Sequence, residues 1–529
     1  MNRHQHNSAR LTASAATVSV AVFISRILGL IREQVFAFMF GAGYAYDAFV
    51  VAFRIPNLLR DLFAEGALSA AFVTVFSDYD ANRGREQTWQ LASQVLCFIT
   101  IIVSLITLLA ILFAGEIVSL LAGGYGSVEG KIELTTTLTR IMMPFLLFIS
   151  LAAVVMGILN TKGRFFVPAL ASSFFNLGSI VGGTTLALIL PRYGHEAIMG
   201  MAFGTLLGGI LQLAVQLPSL RATGFRFKLR LVPVDPGLRR VLLLMVPAVI
   251  GLSATQINIL INTQFAASCA EGSVSWLQYA FRLVQLPIGM FGVAISIASL
   301  PLLAKQASQN KIDELRQTFV SALTMVMALC LPASIGLIIL AEPIIAVIFE
   351  HGAFTSADTR ATAMALSLYA VGLFGYAANK VVVPVFYAIK APRFPVIASF
   401  IAIAVNLTIV LMTIDRLQHL ALALSVSITM TLNSLLLVTI LYLKIGGFSV
   451  RYLVTSGIKI AGAVALMGGG VVLAKEVALE TLSQSTLWGA VSLAVVIIAA
   501  LLSYITILHL IKLEEVMMLV TRIRSRFGR

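Results

Sequence analysis

Runs of about twenty apolar residues, separated only by short polar stretches, leave this 529-residue chain few folds to choose from. Spans are expected near 13–38, 45–76, 88–114, 135–159, 167–190, 197–217, 241–267, 274–303, 317–341, 360–388, 394–414, 418–443, 453–474 and 486–511, about fourteen helices. The runs are continuous, as at 101–114 and 491–502, whereas the strands of a membrane barrel would alternate apolar and polar. Only 11% of residues are charged and 59% are hydrophobic, against about 25% charge in a soluble domain. The pattern predicts an all-α polytopic membrane protein. Basic residues before the first run imitate a signal peptide, but the run continues through Arg26 and Arg32 with no cleavage signature, so an uncleaved first span is expected.

The net charge of +14 raises nucleic acid as a partner. The basic residues, however, sit in alternate loops: Arg83, Arg85, Lys162, Arg164, Arg239, Arg240, Lys305, Lys311, Lys390, Arg393 and Lys444 on one side, little beyond Lys131, Arg192 and Arg360 on the other. That asymmetry is the positive-inside signature and puts both termini in the cytoplasm. No nucleic acid is called for. Cys97, Cys269 and Cys330 lie in apolar runs without metal or redox spacing, and the six histidines are scattered. No P-loop is present, no converging catalytic groups are found, and no cofactor or metal is expected, so the chain does not read as an enzyme.

The chain repeats itself. Ala52-Phe53-Arg54 recurs as Ala280-Phe281-Arg282 (282 − 54 = 228), and Lys162 matches Lys390 at the same offset, as do Gly124 with Gly352 and Ser25 with Ser253. An even number of spans separates the copies, so they are parallel repeats, a known transporter plan with a site between the halves. The division expected is an N-terminal six-helix lobe at 1–218, a basic interlobe cytoplasmic segment at 219–240, a C-terminal six-helix lobe at 241–448, and two additional helices with a basic tail at 449–529. The 219–240 segment suits either the anionic inner leaflet or a plain linker.

Charge is concentrated at 24–76: Arg26, Arg32, Glu33, Asp47, Arg54, Arg60, Asp61 and Glu65 lie within sequence otherwise fit for lipid. A charge at mid-bilayer costs about 2.5–3.5 kcal/mol even on the lenient insertion scale, so these side chains face protein or a wet cavity. At 100° per residue, Asp47, Arg54, Asn57, Asp61, Glu65 and Ser69 form one stripe, and Ser275, Gln278, Arg282, Gln285 and Gly289 form another. Arg60 falls off the first stripe unless Pro56 kinks the helix; Gly29 and Pro287 are further candidate breaks. The plain structural account pairs Arg26 with Glu33, Arg54 with Asp61 and Arg60 with Glu65. Against it, Arg282 has no carboxylate on its own span, and Arg is the side chain suited to a bidentate grip on phosphate. A cationic cavity for an anionic, lipid-linked substrate is the expectation.

The segments Ser25-Arg26-Ile27-Leu28-Gly29, Arg32-Glu33, Asp47-Ala48-Phe49, Arg54-Ile55-Pro56-Asn57-Leu58-Leu59-Arg60 and Phe63-Ala64-Glu65-Gly66-Ala67 resemble the MurJ (MviN) family. So do Gly272-Ser273-Val274-Ser275-Trp276 leading to Arg282, and Leu159-Asn160-Thr161 leading to Arg164-Phe165 and Pro168. These are lipid II flippases of the multidrug/oligosaccharidyl-lipid/polysaccharide exporter superfamily. The resemblance implies two six-helix lobes in a V around a cationic cavity, with the two C-terminal helices offering a groove for the lipid tail. It implies substrate-binding roles for Arg26, Arg32, Arg60 and Arg282. Supporting or gating roles are expected of Ser25, Glu33, Asp47, Arg54, Asn57, Glu65, Ser275 and Gln285. The carboxylates with which some members hold sodium are absent from spans seven, eleven and twelve. Expected partners are lipid II (undecaprenyl-diphosphate-linked muropeptide), membrane lipids and other cell-wall synthesis proteins, in the bacterial inner membrane. The alternatives are a flippase for another polyprenyl-diphosphate oligosaccharide or a multidrug antiporter on the same scaffold. A drug exporter with cationic substrates would be expected to carry acidic walls.

Overall fold

The computed structural model describes residues 3–229, 235–484 and 486–511, without the side chains of 3–17, 19, 63–65 and 477–486. Every regular element among the described residues is helical. Among the described residues, eleven helices are long and apolar enough to cross a membrane, and twelve if the pair Ser356–Val371 and Leu373–Ala388, bent by 43°, makes one span. The protein is a multi-pass membrane protein. About fourteen spans are expected from the sequence, and the described residues account for eleven to twelve of them by length and apolarity. The first helix, Arg3–Phe40, and the helical run at 44–82 are not among them. Both carry side chains outside the described residues, at 3–17 and 19 in the first and at 63–65 in the second.

The chain forms two compact units, Met1–Val274 and Ser275–Arg529. Helix Pro236–Ala267, which sequence topology assigns to the head of the second lobe, falls within the first unit. Its start is set by Asp235, whose carboxylate caps Gly237 N–H at 2.7 Å and accepts the Tyr79 hydroxyl at 2.6 Å. The core of the first unit is aromatic and aliphatic, with Phe72, Phe76, Leu91, Phe145, Leu146 and Ile158 all buried. Helix Ala197–Ala214 approaches its neighbour through a stripe of small residues. A Cβ on Gly200, Gly204 or Gly208 would lie 2.1–2.5 Å from backbone atoms of Ala187, Gly183 or Phe175. Close backbone approach of this kind supplies van der Waals packing where lipid offers no hydrophobic drive between helices. The 219–229 stretch is held against the same unit: Arg164 donates to the Ser219 and Ala222 carbonyls, and the Phe225 ring meets Trp89 at 5.3 Å. Phe227 and Leu229 remain exposed.

In the second unit, helices Val450–Gln484 and Thr486–Leu510 pack on helix Ile312–Ile339 through Ile460, Ala463, Met467 and Leu493, and Tyr504 donates its hydroxyl to the Ala328 carbonyl at 2.7 Å. Wide π-type turns interrupt both charged runs: Arg60–Leu68 in the first unit and Ile288–Val293 in the second. They start at the same place in the repeat, since 60 + 228 = 288. Pro56 and Pro287 precede them and withhold an N–H from the helix ladder. Gly29 does not break its helix, which is continuous from Arg3 to Phe40; it instead lets that helix lie against Asn176, whose Nδ2 donates to the Ser25 carbonyl at 3.0 Å.

Candidate functional site

On the first helix, Arg26 is exposed and Ser25 half-buried. One turn and a half further on, Arg32 donates to the neighbouring Glu33 carboxylate at 2.9 Å. Glu33 is 2% exposed, and its other oxygen accepts the Tyr46 hydroxyl at 2.6 Å. The Arg32 guanidinium carbon lies 5.4 Å from the Phe175 ring centre, and its Nε has no hydrogen-bond partner among the described residues. Glu33 therefore pairs with Arg32, not with Arg26.

Asp47 is paired with a lysine from another helix. Its carboxylate accepts Lys131 Nζ at 3.0 Å and the Gly272 backbone N–H at 2.9 Å, with both side chains almost fully buried. Lys131 lies 4.3 Å from the Tyr125 ring centre, and burial, helped by Asp47 and Glu271, pushes the Tyr125 phenol well up so that it stays neutral. Sequence reasoning missed Lys131, treating it as one of the sparse charges on the poorly basic face. The available signal was Thr135 and Thr139 at four-residue intervals after it, which continue a buried polar face on helix Lys131–Met142.

Further along, Arg54 and Asn57 are half-buried. Arg60 donates Nε and Nη2 to one oxygen of Asp61, at 3.2 and 2.9 Å, and the other oxygen faces Gln256 Nε2 at 3.4 Å. The Glu65 side chain lies outside the described residues. The expected pairing of Arg60 with Glu65 lies outside the described residues. Glu33 and Asp61 pair with the arginines next to them in sequence, where the expected partners, Arg26 and Arg54, lie seven residues away. The π segment explains part of this: wider turns change the phase downstream of Arg60, so a fixed 100° step does not carry through it.

In the second unit, Ser275 is fully buried, Arg282 half-buried and Gln285 exposed. The helix bearing them is anchored near its start by Trp276, whose indole N–H donates to Asp358 at 2.9 Å. Asp358 also closes a capping box with Thr355. No cluster of three or more His, Cys, Asp or Glu able to hold a metal occurs among the described residues.

A family model described as "Lipid II flippase MurJ" matches residues 36–492. The chain belongs to the MurJ lipid II flippase family. A probable lipid II flippase MurJ from Vibrio cholerae is 34% identical over 515 residues, 95% of this chain and 97% of that protein. The lipid II flippase MurJ of Burkholderia cenocepacia is 35% identical over 427 residues, covering 80% of this chain and 82% of its own length. Among solved structures, the lipid II flippase MurJ in an inward closed conformation superposes with a TM-score of 0.77 at 29% identity, covering 93% of this chain and 98% of that one. An inward-facing multidrug transporter of the MATE family and MOP superfamily gives 0.67 at 16% identity, covering 80% and 94%. That second likeness shows the fold alone. The family is one of transporters, not of catalysts.

Proposed function

We propose that this protein flips lipid II from the inner to the outer leaflet of the bacterial inner membrane by alternating access, with both termini cytoplasmic. The observation that carries the reading is the match to MurJ flippases along nearly the whole chain. A pyrophosphate and its sugars cannot cross hydrocarbon unaided, because each unsatisfied polar group costs several kcal/mol. Arg32, Arg60 and Arg282 grip the pyrophosphate and Arg26 supports them. The geometry of the first unit supports such roles: Arg32 and Arg60 are each held by a carboxylate, Glu33 and Asp61, that a phosphate can replace. The carboxylates hold the guanidiniums in place until phosphate competes for them, and the two states differ in which partner wins. Ser25, Arg54, Asn57, Glu65, Ser275 and Gln285 support or gate. The isoprenoid tail stays in lipid along helices Val450–Gln484 and Thr486–Leu510. The inside-negative potential, about 2.3 kcal/mol per charge per 100 mV, favours outward movement of the anion.

Cells depleted of their own flippase provide the test. The wild-type chain should restore growth and return lipid II to the outer leaflet; Arg282→Ala and Arg32→Ala, expressed at equal level, should fail at both. Full rescue by either variant removes the pyrophosphate role, and unchanged lipid II distribution on depletion removes the flippase reading itself.

A further inference from the structure

The second unit carries a cationic cavity at a repeat position that the first unit covers with its own chain. At the ends of four of its helices lies a surface cavity of about 620 Å³, bordered by Lys390, Arg393 and Lys444 with Ile312, Ile389 and Phe394. Its lining holds three cations and, among the described residues, no carboxylate. The Arg393 and Lys444 cationic groups stand 5.0 and 5.2 Å from the Phe394 ring centre, on a shared aromatic support. Lys390 is fixed in a left-handed backbone conformation, φ 57°, which turns the chain sharply between helices Leu373–Ala388 and Arg393–Leu417. The amino ends of helices Arg393–Leu417 and Ile312–Ile339 and the carboxyl ends of Leu373–Ala388 and His419–Lys444 all reach the cavity, so the helix dipoles offset one another and the positive charge is that of the three side chains.

The repeat shows what is unusual here. Lys390 corresponds to Lys162 (390 − 228 = 162). In the first unit Lys162 is neutralised by Asp80 and lies 4.9 Å from the Trp89 ring centre. The 219–229 stretch then covers that face, held by Arg164. The second unit has Ser308 where the first has Asp80 (80 + 228 = 308) and Gln317 where it has Trp89 (89 + 228 = 317). Both groups that occupy the first lysine are gone, and two further cations have gathered instead.

We infer that this cavity is a binding site for the phosphate headgroup of an anionic phospholipid. The site sits where transmembrane helices end, which is headgroup level, and its walls are half cationic and half apolar. A lipid phosphate presents a charge to Lys390, Arg393 and Lys444 while its glycerol and first methylenes cover Ile312, Ile389 and Phe394. A free phosphate would use only the first of these features.

Purified full-length protein, titrated with dioleoylphosphatidylglycerol or dioleoylphosphatidylcholine and read by native mass spectrometry, tests the inference. The wild type should bind the anionic lipid in preference. Each of Lys390→Gln, Arg393→Gln and Lys444→Gln should weaken the first binding event about fivefold, and the triple variant on the order of a hundredfold. Ile312→Glu keeps all three cations but adds a negative charge to the lining, and should expel the lipid equally well. Lys311→Gln, an exposed lysine already paired with Glu314, should change nothing. Equal binding of both lipids, an equal loss in Lys311→Gln, or complete displacement by millimolar inorganic phosphate would each overturn the assignment; unaltered binding in both the triple variant and Ile312→Glu would do the same.

Discussion

The helical run at 44–82 in the first unit and Ser273–Ser308 in the second occupy the same repeat positions, and they share a backbone while differing in charge. Each carries a proline followed by a π segment that starts at the same repeat position. Arg54 and Arg282 are a matched pair (54 + 228 = 282), but Arg60 corresponds to Ile288 (60 + 228 = 288). On the preceding helices, Arg26 and Arg32 correspond to Ala254 and Leu260 (26 + 228 = 254; 32 + 228 = 260). Asp47 and Lys131, the buried ion pair, correspond to Ser275 and Thr359 (47 + 228 = 275; 131 + 228 = 359), both buried. The lesson is physical. The repeat keeps the break at 60 and 288, whereas the fully buried ion pair of Asp47 with Lys131 is lost as a set, because half of such a pair costs more than none.

The ion pair offers the largest effect with which to break that comparison. Lys131→Met leaves the buried Asp47 carboxylate without the ammonium that pairs with it at 3.0 Å. The expected cost is about 3–5 kcal/mol. The double change Asp47→Ser with Lys131→Thr copies the second unit into the first and should cost clearly less than the single change. Thermal unfolding of the purified variants in one detergent reads the order. If the double variant is the less stable of the two, the hydroxyl solution of the second unit does not transfer, and the matched-set argument fails.

The Tyr46 hydroxyl is a device of the first unit alone, since Tyr46 and Glu33 correspond to Val274 and Ile261 (46 + 228 = 274; 33 + 228 = 261). Tyr46→Phe removes a 2.6 Å hydrogen bond to a buried carboxylate, worth about 1.5–3 kcal/mol. It also loosens the Glu33 carboxylate that holds Arg32, so rescue of flippase-depleted cells should fall. A Tyr46→Phe variant as stable and as active as the wild type would show that Glu33 does not depend on the Tyr46 hydroxyl.

Much of this was legible beforehand. Apolar run length gave the spans from 88 onward, because a helix in lipid must satisfy its own backbone and so advertises itself as a continuous run. The 228-residue offset gave the repeat, and it holds at the level of backbone breaks. The salt bridges were not legible. A guanidinium is long enough to curl back to the next residue, so Arg32 reaches Glu33 and Arg60 reaches Asp61 despite the 100° between neighbours on an ideal helix. Nor does helical phase survive a π segment, which no residue at 60–68 announces by itself. Lys131 escaped for another reason: its partner Asp47 lies 84 residues away, and only the fold brings the two together.

The smallest effect concerns a glycine the repeat keeps for two reasons. Gly124 and Gly352 match at 228, yet a Cβ on Gly124 would stand 2.6 Å from the Ala267 carbonyl oxygen and 2.7 Å from Ser268 Cα. Gly352 is exposed and has a φ of 64°. Backbone cannot yield as a side-chain tip does, so any substitution at Gly124 must push helix Pro236–Ala267 away from its seat, at about 1–3 kcal/mol. At Gly352 the obstacle is conformation, and Asn tolerates the left-handed region better than Ala. Gly352→Ala should therefore cost about 1 kcal/mol and Gly352→Asn a few tenths, whereas Gly124→Asn should be at least as harmful as Gly124→Ala. Four melting temperatures in one detergent decide it. Asn rescuing position 124, or failing to improve on Ala at 352, would mean that the two glycines answer to one constraint after all.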